Sequence, residues 1–511
     1  MKETTKKIPD TLLETGNVRL YETSSLNFPI RKCEEYLLSD PHAILRRQKI
    51  FSDISACPEL LGKYEKLSEM TSELSEYLAK TGDDRDSEII IYSIIRTRSF
   101  TSLVELAANE LAPLVRDGVI SAESIVDYIG ALAEIYESAE YKSAKSWVDG
   151  LNMTMENIRS VTLGVNLDAQ LRVSEIGIAS FNKNPYVGGG VLNTLFRDTS
   201  PGDEFTCMIS LGVKETKRLL GRSIVAVNNE LLGAMEQLVR GSLKKIRYDI
   251  LSLFRKEMVA CAKLDGELDF TISAARYMLS LRSEGCSLTF PKPSSETRIT
   301  GLYNPNLMSK LDAEHLVANN VAMNDSERVF VITGPNSGGK TVYLNSVGLA
   351  QMFFQAGLPV PAVSAEMAPA DAIAVFSVKS MDRVNNGRLA DEVKRLKECL
   401  EIIDGNSLIL LDETFSSTSA FEGVFLAQSL VKYLSDLGCR ALYVTHLHDL
   451  AERIDEMNRD GKYNIRKLTA ENANGKRTYK IVPYHGYDLE KSLARDIVIE
   501  NGLGFLFSED A

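Results

Sequence analysis

The stretch from Val329 to Thr341, VFVITGPNSGGKT, constrains this chain more than any other. Val329 to Thr333 are β-branched or aromatic and uncharged, which predicts a short strand buried on both faces. Gly334, Pro335, Asn336, Ser337, Gly338, Gly339, Lys340 and Thr341 follow at the spacing of a P-loop. Val342, Leu344, Val347 and Leu349 then recur as in a helix. Strand, glycine-rich turn and helix are the context that this motif needs. Glycines let backbone N–H groups face phosphate oxygens, and the helix N-terminus adds its positive end. Lys340 is then expected to reach the β- and γ-phosphates, and the Thr341 hydroxyl to ligate Mg²⁺. The pattern predicts an ATP-type nucleotide site.

A chain of 511 residues suggests two to four domains. No uncharged apolar run approaches the ~18–20 residues that span a bilayer. Lys2, Lys6 and Lys7 precede no apolar segment, so no signal peptide is expected. Seven cysteines without a CxxC pair suit free thiols in a reducing cytoplasm. The net charge of −12 argues against a surface that coats nucleic acid everywhere. It leaves room for a local basic groove.

Residues 1–26 are polar and read as a loosely held arm. From 27 to 300 the pattern is mainly helical. Leu60, Leu61, Tyr64, Leu67, Met70 and Leu74 recur at three to four residues. The run from Glu88 to Ile95 reads equally as strand or buried helix. Alternating Val161, Leu163, Val165 and Leu167 open a small strand-rich insert at about 160–198. Apolar spacing over 219–258 predicts two long antiparallel helices. Residues 214–256 hold ten basic residues against four acidic ones. This stripe, with Lys214, Lys217, Arg218, Lys244, Lys245 and Arg247, reads either as a solvated helix face or as a contact for nucleic-acid phosphates. Pro291, Pro293, Ser294 and Ser295 suggest a linker. An α/β domain is expected from 301 to 511.

Within that domain, Leu408 to Leu411 form a second apolar run ending in Asp412-Glu413. After a P-loop, such an Asp orients Mg²⁺ through water and the Glu polarises the attacking water. A third run, Ala441 to Thr445, ends at His446. A polar residue at such a strand tip is placed to sense a γ-phosphate. Helical runs between these strands predict a mostly parallel sheet covered on both faces.

These residues together resemble the MutS family of DNA mismatch-repair ATPases. GPNSGGKT is similar to the family's GPN-x-GGK-[ST], and Gln351 to Ala362 resembles its stretch ending in VPA. Thr418 to Gly423 is similar to TST-[YF]-[DE]-G, and Thr445-His446 to a Thr-His switch. Tyr479 to Leu503 resembles the segment that helps pair ATPase domains. Asp40-Pro41 with Arg46, Arg47 and Gln48, and Ala262 to Ala275, resemble the helical core. The resemblance implies an α/β P-loop NTPase domain, ABC-like, behind a helical lever domain. It also implies ATP and Mg²⁺ as cofactors, a homodimer, and double-stranded DNA, mismatched or branched, as partner. Neither a mismatch-reading wedge and connector nor an Smr domain is expected from the residues present. In the family's signature loop, which acts in trans, this chain reads Gly387, Arg388 and Glu392. Gly387 stands where a Ser is usual, and Arg388 is a candidate replacement for its contact to phosphate. The aromatic expected to stack on adenine is Leu316. The expected protein is a cytoplasmic, dimeric ATPase clamp on DNA. The alternatives are a ribosome, RNA or protein target for the same ATPase, or an interaction protein with ATP-gated dimerisation and little turnover.

Overall fold

The computed structural model describes residues 7–79, 88–155, 160–167, 173–182, 184, 254–308, 310–311, 315–335, 338–377, 388–447, 449–459, 461–473 and 476–484. The three apolar runs form strands Val329–Thr333, Leu408–Asp412 and Arg440–Val444, each buried at all five positions. Strands with no polar face must be covered on both sides, and helices do so here. Among them are Lys340–Gln355, Arg388–Glu401 and Ala420–Leu437.

The seven-stranded sheet runs in the order Arg19–Tyr21, Ala372–Ser377, Leu408–Asp412, Arg440–Val444, Val329–Thr333, Arg466–Ala473, Lys476–Pro483. Neighbours are parallel up to Arg466–Ala473. The last two strands form an antiparallel hairpin. Leu410 faces Leu442, and Leu442 faces Phe330, so the register carries Asp412 and Val444 to one edge of the sheet. In open α/β sheets, that carboxyl edge is where ligands bind. A mostly parallel α/β sheet agrees with the expectation from the sequence.

Contacts divide the chain into two units. One comprises 1–10, 65–118 and 126–266; the other comprises 11–64, 119–125 and 267–511. Among its described residues the first is mostly helical, with Glu88–Leu106 and Ala139–Met155 as long elements. The ambiguous run at 88–95 is therefore helix. Tyr141 donates from its hydroxyl to the Thr101 carbonyl at 3.2 Å. Strands Ser160–Leu167 and Val173–Asn182 make the antiparallel hairpin expected of the insert. The two helices expected over 219–258 lie mostly outside the described residues. Arg255–Lys263 is a helix.

The second unit corrects two expectations. The segment read as a loose arm carries Arg19–Tyr21, which pairs with Ala372–Ala374. Arg19 forms an ion pair with Asp404. Tyr21 donates to the Arg395 carbonyl at 2.9 Å, and the Arg395 guanidinium grips Glu22. Leu12 and Leu13 are buried, with their N–H groups donating to the Glu267 carboxylate. Three residues are too few to show a strand period, and backbone pairing leaves no composition signal. Likewise Lys292–Pro293, read as a linker, is a short strand beside Ser364–Met367. It belongs to a four-stranded sheet with Thr297–Leu302 and Asn319–Met323.

Arg440 joins this smaller sheet to the larger one. Its buried guanidinium donates to the Ala368 and Pro369 carbonyls, both at 2.7 Å, and to Thr297 Oγ1 at 3.2 Å. Burial pushes its pKa down to about 10. Buried Gln355 donates in the same layer to the Leu38 and Ala370 carbonyls, each at 2.8 Å. Arg440→Ala strips the Pro369 carbonyl of this donor and removes a charged hydrogen-bond centre. Urea unfolding should show a loss of roughly 2–4 kcal/mol. A loss below about 0.5 kcal/mol would show that these bonds contribute little.

Candidate functional site

The carboxyl edge of the sheet opens into a cleft of about 860 Å³. Gly338, Gly339, Lys340, Thr341, Glu413 and His446 all line it. Residues from three separate strand tips thus meet in one space.

The loop is shaped by the absence of Cβ atoms. Gly334 has φ 120°, and a Cβ there would meet Thr469 Oγ1 at 3.0 Å and Ala470 N at 3.1 Å. A Cβ on Gly338 would lie 2.7 Å from the Ala470 Cβ and 3.0 Å from the Pro335 carbonyl. The strand Arg466–Ala473 therefore presses directly on the loop. Lys340 opens the helix Lys340–Gln355 and is buried. Its ammonium donates to the Gly334 carbonyl at 2.8 Å and the Pro335 carbonyl at 2.9 Å. The loop's own carbonyls thus hold a positive charge at the mouth of a helix N-terminus, where an anion is favoured.

The Thr341 hydroxyl donates to Asp412, 3.1 Å from Oδ1 and 3.2 Å from Oδ2. This bond crosses from the P-loop helix to a strand two places away, with Arg440–Val444 between. A hydroxyl beside a buried carboxylate is an oxygen donor set of the kind that Mg²⁺ takes. Next to it, Glu413 Oε1 lies 2.8 Å from His446 Nε2. Glu413 adopts φ 59° and Phe415 φ 64°, left-handed for residues with a Cβ. The Glu413 N–H donates to the Val444 carbonyl at 2.9 Å, and the Tyr443 hydroxyl to the Thr414 carbonyl at 2.9 Å. Burial raises the Tyr443 pKa well above its usual value, so the phenol stays a donor.

Of the other residues expected at the site, Pro335 is in the loop, while Asn336, Ser337 and Gly387 lie outside the described residues. So do Lys214, Lys217, Arg218, Lys244, Lys245 and Arg247. Arg388 begins the helix Arg388–Glu401. Glu392 is a correction. It was expected in a loop acting on a partner, but it is fully buried and accepts from the Phe415 N–H and the Ser417 hydroxyl of its own chain. Its helix turns it inward, since it lies on the same face as Leu389 and Leu396, which pack on the core.

Leu316 lines the cleft where an aromatic was expected. The sequence does not mark Tyr303, Asn304, His315 or Asn319 as lining residues, and it marks Tyr479 only as the start of a segment resembling one that pairs ATPase domains. Tyr479, at φ 58°, comes within 3.5 Å of the position a Gly339 Cβ would take. Asn319 fixes it by donating to its carbonyl at 3.2 Å. No local pattern places Tyr479 at the cleft, because the hairpin alone carries it back to the loop.

A parallel sheet whose glycine loop, buried lysine and acidic strand tip share a cleft defines a P-loop α/β domain. Comparison with known proteins agrees, since residues 330–485 match the family model of MutS domain V. The DNA mismatch repair protein MutS of Exiguobacterium is 30% identical over 223 residues, 42% of this chain and 26% of that protein. Endonuclease MutS2 of Staphylococcus epidermidis is 28% identical over 293 residues, 55% of this chain and 36% of that one. The DNA mismatch repair protein MutS of Clostridium perfringens is 24% identical over 473 residues, 87% of this chain and 50% of that one. The chain is thus similar to MutS-family proteins, most clearly over domain V, and it spans between a quarter and a half of the length of these relatives.

Gly338→Ala puts a methyl group into the Ala470 contact. Overpacking of this kind costs about 1–3 kcal/mol. Calorimetric titration should show nucleoside triphosphate affinity falling roughly tenfold or more. Unchanged affinity would mean that the loop need not approach its neighbour this closely.

Proposed function

We propose that this chain is a Mg²⁺-dependent ATPase of the MutS type, working as a homodimer whose ATP binding is coupled to double-stranded DNA, with branched or mismatched forms preferred. The observation that carries the reading is the convergence of Lys340, Thr341, Glu413 and His446 on one cleft, with buried Asp412 bonded to the Thr341 hydroxyl. Lys340 would exchange its two carbonyl partners for phosphate oxygens. Thr341 and Asp412 would hold Mg²⁺, Asp412 through water, and the ion would neutralise charge developing on the phosphates. Glu413 would take up the proton of the attacking water, with His446 orienting its carboxylate and reporting the γ-phosphate.

The names of the relatives support DNA as the partner, two as DNA mismatch repair proteins and one as an endonuclease. The basic stripe over 214–256 supplies charge of the right sign for DNA backbone contacts. Dimerisation draws support from Phe421 and Phe425, 82% and 65% exposed one turn apart just past the catalytic loop. Apolar side chains exposed side by side on one helix face are the kind of surface that a partner covers. Among the described residues, no helix is long and apolar enough to cross a membrane.

The test is steady-state ATP hydrolysis by the wild type and Glu413→Gln, each alone and with a four-way junction, homoduplex or mismatched duplex. Removing a general base costs about 10²–10⁴-fold, so the variant should bind ATP normally and turn it over slowly. The wild type should be stimulated by the junction. Stimulation by mismatch alone would point to base readout, and indifference to every DNA would move the target to RNA or protein.

A further inference from the structure

The left-handed backbone at Glu413 and Phe415 needs something to hold it. Residues with a Cβ populate that region sparsely, and they keep it only where surrounding structure fixes it. Glu392 reaches this loop from another element, the helix Arg388–Glu401. It is 0% exposed, so it can meet neither solvent nor a second subunit. One carboxylate oxygen accepts from the Phe415 N–H and the other from the Ser417 hydroxyl. A carboxylate buried among neutral donors is costly unless those donors are spent on it, and both are.

The loop has further anchors. The Glu413 N–H bonds the Val444 carbonyl at 2.9 Å, and the Thr414 carbonyl accepts from Tyr443 at 2.9 Å. These secure the start of the loop to the neighbouring strand. Glu392 secures its far side from a different element, the helix Arg388–Glu401. With both sides held, the Glu413 side chain is presented to the cleft and meets His446 at 2.8 Å.

We propose that Glu392 is a positioning residue for the water-activating Glu413, acting through the Phe415 amide and the Ser417 hydroxyl. This rests on the ATPase reading above. Glu392 is fully buried and does not line the cleft. Its removal should therefore damage turnover and leave nucleotide binding alone, because Lys340 and Thr341 stand on another helix.

Glu392→Ala, Glu392→Gln and Ser417→Ala separate the possibilities. Glutamine retains both bonds, since its carbonyl accepts from Phe415 and its amide donates to Ser417 Oγ. A misplacement near 1 Å can cost ~10²-fold. Glu392→Ala should then lower kcat about 10–100-fold with KM for ATP within about threefold. Glu392→Gln should stay within about threefold of wild type, and Ser417→Ala should fall between the two. Hydrogen exchange at the Phe415 amide gives a readout that needs no turnover. It should quicken at least about tenfold in Glu392→Ala and hardly in Glu392→Gln. Should Glu392→Ala fail to fold, Ser417→Ala and the glutamine variant still decide the question through kcat and exchange. Turnover and exchange within about twofold of wild type in Glu392→Ala would overturn the proposal. So would equal losses of binding and turnover without rescue by glutamine. A wild type that hydrolyses no ATP would sink the ATPase reading instead, and amide exchange would still report whether Glu392 fixes the loop.

Discussion

The hydrogen bond from the Thr341 hydroxyl to the Asp412 carboxylate is the contact on which the site depends. It joins two elements that are not sheet neighbours, because Arg440–Val444 lies between their strands. Only a parallel sheet brings three consecutive strand ends to one edge. The glycine-rich turn after Val329–Thr333 brings a helix N-terminus back over them. Once that bond sets Thr341 against Asp412, Glu413 follows by one residue and His446 by the adjoining strand.

The groups that line this edge are held in place at a distance. Arg440 holds the smaller sheet to the larger one through carbonyls at 2.7 Å. The strand Arg466–Ala473 presses on Gly334 and Gly338 and fixes the loop's path. Glu392 grips the left-handed turn from below. Each is a polar or steric contact inside a mostly apolar core, where unmade hydrogen bonds are expensive. The core therefore disfavours alternative loop arrangements as well as unfolding. This rigidity suits phosphoryl transfer, in which catalysis is mostly positioning and electrostatics.

Much of this was legible in the sequence, for a physical reason. The P-loop, Asp412-Glu413 and Thr445-His446 are contiguous strings, each ending an apolar run, so their chemistry and their strands are read together. The apolar residues from Leu60 to Leu74 showed the period of the helix Leu60–Ala79 that they form. Other features were hidden because they exist only in three dimensions. Arg19–Tyr21 is too short for a pattern and joins the sheet through its backbone. Tyr479 reaches Gly339 because a hairpin returns there. Glu392 was visible as a motif residue, yet its direction depended on which face of its helix met the core. Arg440 reads as an ordinary charge opening a strand, and nothing nearby in sequence predicts that its partners lie about 70 residues upstream.

Equilibrium titration of a non-hydrolysable ATP analogue with Mg²⁺, compared between the wild type and Lys340→Met, tests the central claim most directly. Methionine keeps the stem and removes the charge. Charge-assisted bonds contribute about 1.5–3 kcal/mol each, so the account predicts affinity roughly 10²-fold weaker in the variant. Equal affinity in the two proteins would mean that the nucleotide does not sit in the loop from Gly334 to Thr341, and the reading of this edge as a phosphate site would be wrong.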